Sequence, residues 1–369
     1  MHNLKINVIL LIALLFLPAV SPADSGKAVQ ERSKSIVVVT AYNKRGQPLT
    51  EGTGFIASPE GAVVTNYHVI GIAKDLKVRS GKTILDVEGV IHADIENDLV
   101  ILKVKGKNLP AVSPGEVERM KPGEKVYVLS SSEETGVEVN EGTFSGIKTI
   151  DGGKKVLKIM APLSHGSSGS PVLNSEGNVI GIVTFLMKRT RNILLAMPAD
   201  LIRDRIGNKK VILSKNNAMR AYKETPQYWF YLGYFLLEAG AHKEAIEVLR
   251  EAVRLRPDSA DAYYYLGAAY EKSDKDTEAS NAYRKAVAAA PEFTDAYFSL
   301  GVTYGRMGKY REAAEALKTA IRLEPDYGDA HYNLCLTYLL LKDKTSAAEE
   351  YRLLKAISPE LANKILKAM

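Results

Sequence analysis

Ser168 stands in the run Gly166-Ser-Ser-Gly-Ser-Pro171. A serine hydroxyl attacks a carbonyl only if a base takes its proton and donors hold the oxyanion that forms. A glycine-rich tight turn can aim backbone N–H groups at one point, here those of Gly166 and Ser168. The base must come from elsewhere in the chain. Of six histidines, His2 lies in an apolar leader, and His242 and His331 lie in a repeat region. His92 precedes an acidic loop and His165 shares the serine's own turn. That leaves His68, where the apolar run Val63-Val-Thr-Asn-Tyr-His-Val69 ends and the chain turns. A third residue must orient the imidazole and stabilise its charged form. Asp98 opens Asp98-Leu-Val-Ile-Leu-Lys-Val104, and an acid leading straight into a buried strand is costly unless paired. Asp75, Asp86 and above all Asp94 are the alternatives.

The order His, Asp, Ser is that of chymotrypsin-type enzymes, not of subtilisins or α/β-hydrolases. The elements that must position these residues are short. Between about Ser35 and Ala199, β-branched runs such as Ser35-Ile-Val-Val-Val-Thr40, Gly61-Ala-Val-Val-Thr65, Lys125-Val-Tyr-Val-Leu129 and Val179-Ile-Gly-Ile-Val183 alternate with Gly/Pro turns. That pattern predicts an all-β barrel or sandwich. The spacing of the three residues suits two six-stranded barrels, with His68 and Asp98 from the first and Ser168 from the second.

Residues 35–206 resemble the HtrA/Deg branch of the trypsin-like proteases. Gly52-Thr-Gly-Phe-Ile56 is similar to that family's glycine-flanked strand, Thr65-Asn-Tyr-His-Val69 to its histidine motif and Asn97-Asp-Leu-Val-Ile-Leu-Lys103 to its aspartate motif. Gly166-Ser-Ser-Gly-Ser-Pro171 resembles the serine motif, with Ser170 where glycine is usual, and Ala196-Met-Pro-Ala-Asp200 the exit from the last barrel strand. The resemblance implies a serine endopeptidase without cofactor or metal. It also implies that Pro162, Val183, Thr184 and Phe185 line the specificity pocket, and thus cleavage after small or medium apolar residues. Members commonly carry a PDZ domain after the protease; here something else follows.

From Pro226 the grammar changes. Pro257, Pro291, Pro325 and Pro359 stand 34 residues apart. Leu232-Gly233, Leu266-Gly267 and Leu300-Gly301 keep the same step, with Leu334-Cys335 fourth, as do Ala245, Ala279, Ala313 and Ala347. This resembles the tetratricopeptide (TPR) pattern in four copies, 226–259, 260–293, 294–327 and 328–361, with a partial capping helix at 362–369. Each unit is a helix pair that buries its apolar face only by stacking. Phe230, Tyr264, Phe298 and Tyr332 occur at one phase, one ring per unit. They form either an aromatic ladder in a peptide-binding groove or the filling between helices. The repeats imply a protein partner. Asn and Lys at the groove positions, which clamp chaperone C-termini in other repeats, are missing. Residues 207–225 read as a polar linker, with a short strand at Val211-Ile-Leu213.

The balance of the 369 residues, 46% apolar and 25% charged, is that of a globular chain of two or three domains. The net charge of +6 comes without a long basic run, so a nucleic-acid partner is not expected. One cysteine, Cys335, excludes an intrachain disulfide and a cysteine-built zinc site. Lys5, the apolar run to Val20 and the small residues around Ser21-Pro22-Ala23 predict a signal peptide over residues 1–23, with the peptidase domain over 24–206. The apolar core is too short for a span, so no stable membrane segment is expected after cleavage. Export without disulfides points to the bacterial periplasm or cell envelope.

Overall fold

The computed structural model describes residues 28–150, 154–162, 166–184, 193–206 and 210–368. The expected signal peptide lies outside them. Thirteen strands come first: β1 (Ile36–Tyr42), β2 (Pro48–Ile56), β3 (Ala62–Asn66), β4 (Asp75–Ser80), β5 (Thr83–Leu85), β6 (Val87–Asp94) and β7 (Leu99–Val104), then β8 (Lys125–Ser132), β9 (Gly136–Ile150), β10 (Lys154–Met160), β11 (Pro171–Leu173), β12 (Val179–Val183) and β13 (Ile193–Pro198). The second set closes as expected into a six-stranded barrel, β10-β13-β12-β11-β8-β9. The first set differs from expectation. It is a seven-stranded antiparallel sheet, β5-β4-β1-β2-β3-β7-β6, which its end strands do not close. The extra strand is β5, three residues that pair with β4 across the Gly81 turn.

The apolar runs explain the layering. Every residue of β3 and β12 is buried, as in strands covered on both faces. Phe55, Val64, Leu99 and Ile101 of the sheet share one core with Leu129, Val156 and Ile182 of the barrel. This core locks the two halves, so residues on either side hold fixed relative positions.

Residues 215–222 correct the reading of 207–225 as a polar linker. Leu213 bridges to Val90, and a helix follows, with the Ser214 hydroxyl accepting from the N–H of Asn217 at its start. Ala218, Met219 and Tyr222 of that helix are buried against the sheet. In chain order the helices are α1 (Tyr67–Gly71), α2 (Asp200–Arg203), α3 (Lys215–Tyr222) and then the repeats: α4 (Pro226–Glu238), α5 (His242–Leu255), α6 (Ala260–Glu271), α7 (Asp276–Ala289), α8 (Thr294–Arg306), α9 (Tyr310–Leu323), α10 (Gly328–Leu340) and α11 (Lys344–Ile357), closed by α12 (Pro359–Ala368). Close packing within each pair requires the repeated small residues. A β-carbon on Gly233 would stand 2.4 Å from Leu249, one on Gly267 2.6 Å from Tyr283 and one on Gly301 2.7 Å from Leu317. In the fourth unit the Cys335 thiol fits there and donates to the Ala347 carbonyl at 3.3 Å.

Candidate active site

His68 is the second residue of α1, directly after β3, and Asp98 directly precedes β7. The two strands are antiparallel neighbours, with Asn66 opposite Leu99, so their ends bring the residues together. His68 Nδ1 lies 2.6 Å from Asp98 Oδ2, and the His68 backbone N–H donates to Oδ1 at 2.9 Å. Two attachments fix both the position and the rotation of the carboxylate. The backbone pays with a left-handed conformation at Asp98, φ 54°, which costs on the order of 1–2 kcal/mol for a non-glycine residue. Donors from Asn66 Nδ2 and Tyr67 N–H to the Asp98 carbonyl, each at 3.0 Å, hold it there.

Geometry also separates the two candidate acids. Asp94 accepts from the backbone and side chain of Asn97 at 3.0 and 2.8 Å. It shapes the turn that delivers Asp98 and does not bond His68.

The serine turn is clamped onto the other half of the domain. Thr53 N–H donates to the carbonyls of Ser168 (2.9 Å) and Gly166 (3.2 Å), and its hydroxyl donates to the Gly166 carbonyl at 2.7 Å. Gly169 N–H donates to Val183 at 2.9 Å. Gly166 and Gly169 take φ of 78° and 84°, which glycine adopts without strain. Gly52 ties this turn to the histidine: a β-carbon there would meet Val69 at 2.7 Å and the Ser168 carbonyl at 3.1 Å. His68 and Asp98 are thus bonded directly, and the turn that carries Ser168 abuts Gly52, which also touches Val69 beside His68. Ser168 is half-buried, while His68 is 2% exposed.

The residues expected to line the specificity pocket differ in their surroundings. Val183 is 3% exposed and packs in the barrel core, Pro162 is exposed, and Phe185 lies outside the described residues. Thr184 has a partner that the sequence reading did not assign. Its hydroxyl donates to Asp98 Oδ2 at 2.9 Å, so it supports the carboxylate. Its position at the end of β12 was visible in the sequence; its partner, across the domain, was not.

A further partner of Asp98 comes from outside the β half. Tyr231 on α4 donates to Oδ2 at 3.2 Å, and its ring stacks on His68 with centroids 4.5 Å apart and planes at 20°. Burial, reinforced by the Asp98 charge, holds the Tyr231 phenol well above its ordinary range, so it stays a donor. Beside it, between the two halves, lies a cavity of about 140 Å³ bordered by Asp98, Thr184, Phe230 and Tyr231. The rings that recur once per repeat pack against neighbouring helices. Tyr264 packs on Phe293 at 5.0 Å and Phe298 on Tyr327 at 4.9 Å, so these rings fill the space toward the next repeat. Phe230 packs edge-on against Tyr231 and Tyr265, and Tyr332 joins the core around Cys335 and Leu354.

Comparison with known families bears on this arrangement. Residues 52–182 match the trypsin-like peptidase domain, and residues 233–274, 260–293 and 298–362 match tetratricopeptide repeats. The chain joins an HtrA-like, trypsin-like peptidase domain to tetratricopeptide repeats. The peptidase half is 34% identical over 176 residues to serine protease HTRA1 of Xenopus laevis, covering 45% of this chain and 37% of that protein. It is 33% identical over 160 residues to the probable periplasmic serine endoprotease DegP-like of Pseudomonas putida (strain GB-1), covering 42% of this chain and 33% of that one. The chain thus spans about a third of the length of these curated relatives. Among solved structures, the Rv3671c protease from M. tuberculosis in its active form superposes with a TM-score of 0.47 at 22% identity, over 53% of this chain and 90% of that one. Among the described residues, no helix is long and apolar enough to cross a membrane.

Proposed function

We propose that this protein is an exported serine endopeptidase in which Ser168 is the nucleophile, His68 the base and Asp98 its orienting acid. The observation that carries this reading is the two-point attachment of Asp98 to His68. It fixes the imidazole with Nδ1 on the carboxylate and leaves Nε2 as the nitrogen for the serine. Ser168 Oγ attacks the peptide carbonyl as His68 takes its proton. His68 then gives that proton to the departing amine, leaving an acyl-enzyme that water hydrolyses by the same exchange. The N–H groups of Gly166 and Ser168 hold the oxyanion, each such donor contributing roughly 3–4 kcal/mol to the transition state. Export rests on the leader of residues 1–23 and agrees with the periplasmic designation of the Pseudomonas relative. The repeats recruit a protein substrate or a regulatory partner.

Cleavage of casein by the chain without residues 1–23 tests the reading. Ser168→Ala and His68→Ala are each expected to lower it by a factor on the order of 10⁶. Cleavage undiminished in Ser168→Ala would overturn the assignment.

A further inference from the structure

The repeats are not equivalent on the face they turn toward what precedes them. Position 262 of the second repeat is Ala, as are 296 and 330 in the next two, and all three are buried. Ala269, Thr303 and Thr337 hold another buried, small-residue phase. These residues close against the preceding repeat: Ala296 packs with Ala286 and Ala290, Ala330 with Ala314 and Leu317, and Ala269 with Ala245 and Leu249. The first repeat has no repeat before it. Its residues at these phases are Tyr228 and Phe235, and with Tyr231 they form one stripe at i, i+3 and i+7 along α4.

That stripe is seated on the proposed catalytic residues. Tyr228 meets Tyr222 edge-on at 6.0 Å. Tyr231 covers the His68 ring, Phe235 approaches it at 6.2 Å, and the Tyr231 hydroxyl occupies Asp98 Oδ2. Capping the array alone would need only apolar surface somewhere on the β half. The contact falls instead on the imidazole that must shuttle protons, and leaves it 2% exposed beside a half-buried Ser168. The proton is exchanged through Nε2, at the edge of the ring, and with the whole residue 2% exposed a polypeptide running past Ser168 cannot reach that edge.

We propose that α4 is an autoinhibitory latch, whose Tyr231 and Phe235 cover His68, with Tyr228 seated on Tyr222, until the first repeat is withdrawn. This rests on the roles of Ser168 and His68 proposed above. The latch couples the two halves of the chain: whatever draws α4 away, including a protein bound to the repeats, opens the peptidase.

The test is the rate at which an alkyl fluorophosphonate labels the full chain. Tyr231→Ala combined with Phe235→Ala is expected to raise the rate at least about tenfold, and Ser168→Ala in that background to abolish it. Tyr231→Leu keeps apolar volume at the interface and guards against failure of the double variant to fold; it removes the longer of two side-chain hydroxyl donors to Asp98 Oδ2 while Thr184 keeps the shorter, and the net rate is expected to rise at least about threefold. A rate in Tyr231→Leu equal to or below that of the wild type overturns the latch and leaves the Ser168 chemistry standing. Absence of labelling in wild type and in the folded variants alike overturns both.

Discussion

Gly169 lies so close to Thr53 that a β-carbon on it would stand 2.1 Å from the Thr53 carbonyl oxygen. The same atom would meet the Thr65 hydroxyl at 2.7 Å. The serine turn thus keeps its place because glycine lets it press against β2. Gly169→Ala is expected to push the turn off this seat, at a stability cost on the order of 1–3 kcal/mol from the left-handed backbone alone. Fluorophosphonate labelling is expected to fall at least about a hundredfold in a chain whose circular dichroism is unchanged. Full labelling would show that the clamp does not position Ser168.

Asp98 and Asp94 divide the work of one loop. Asp98→Asn presents an amide where the imidazole needs a carboxylate, and labelling is expected to drop by a factor on the order of 10⁴. Asp94→Asn keeps an acceptor for the Asn97 N–H, so labelling is expected to stay within about threefold of wild type. The reverse pattern would make Asp94 the orienting acid.

Thr184 is expected to act through Asp98. Thr184→Val keeps the shape and removes the donor, and a hydrogen bond to a charged group is worth about 1.5–3 kcal/mol. Labelling is then expected to fall roughly ten- to a hundredfold and to recover in Thr184→Ser. Equal loss in the serine and valine variants would assign Thr184 a packing role only.

Spacing made much of this legible. The 34-residue period announces the repeats, and the motifs around His68, Asp98 and Ser168 announce the peptidase, because each records a local geometry in consecutive residues. What spacing could not show depends on distant partners. Asp94 and Asp98 both flank the same turn, and only the pairing of β3 with β7 decides which meets His68. α3 hides in Lys215-Asn-Asn-Ala-Met-Arg-Ala-Tyr222, where three buried side chains suffice because the sheet supplies the rest of their core. The stripe on α4 did leave a trace. Aromatic residues at 228 and 235, where later repeats keep Ala or Thr, mark a face meeting something other than a repeat.

The repeats carry a titrating group of their own. His331 is buried with Nδ1 2.7 Å from Glu350 Oε2 and Nε2 2.8 Å from the Pro325 carbonyl. The Glu350 bond raises the imidazole above its ordinary value, against an opposing effect of burial. A raised folded-state value stabilises fully at pH below about 6.5, and that stability fades as pH rises through the folded value. His331→Gln is therefore expected to lower the melting temperature most near pH 6 and progressively less toward pH 9, as thermal unfolding can measure. A gap that widens with pH would reverse the sign.

A Ser168 nucleophile activated by His68 and Asp98 should carry the covalent adduct itself. Peptide mapping of the fluorophosphonate adduct, in wild type and in the Tyr231→Ala, Phe235→Ala chain, tests it most directly. A single adduct is expected on Ser168, lost with His68→Ala. An adduct on another residue, or none in either folded chain, would contradict it.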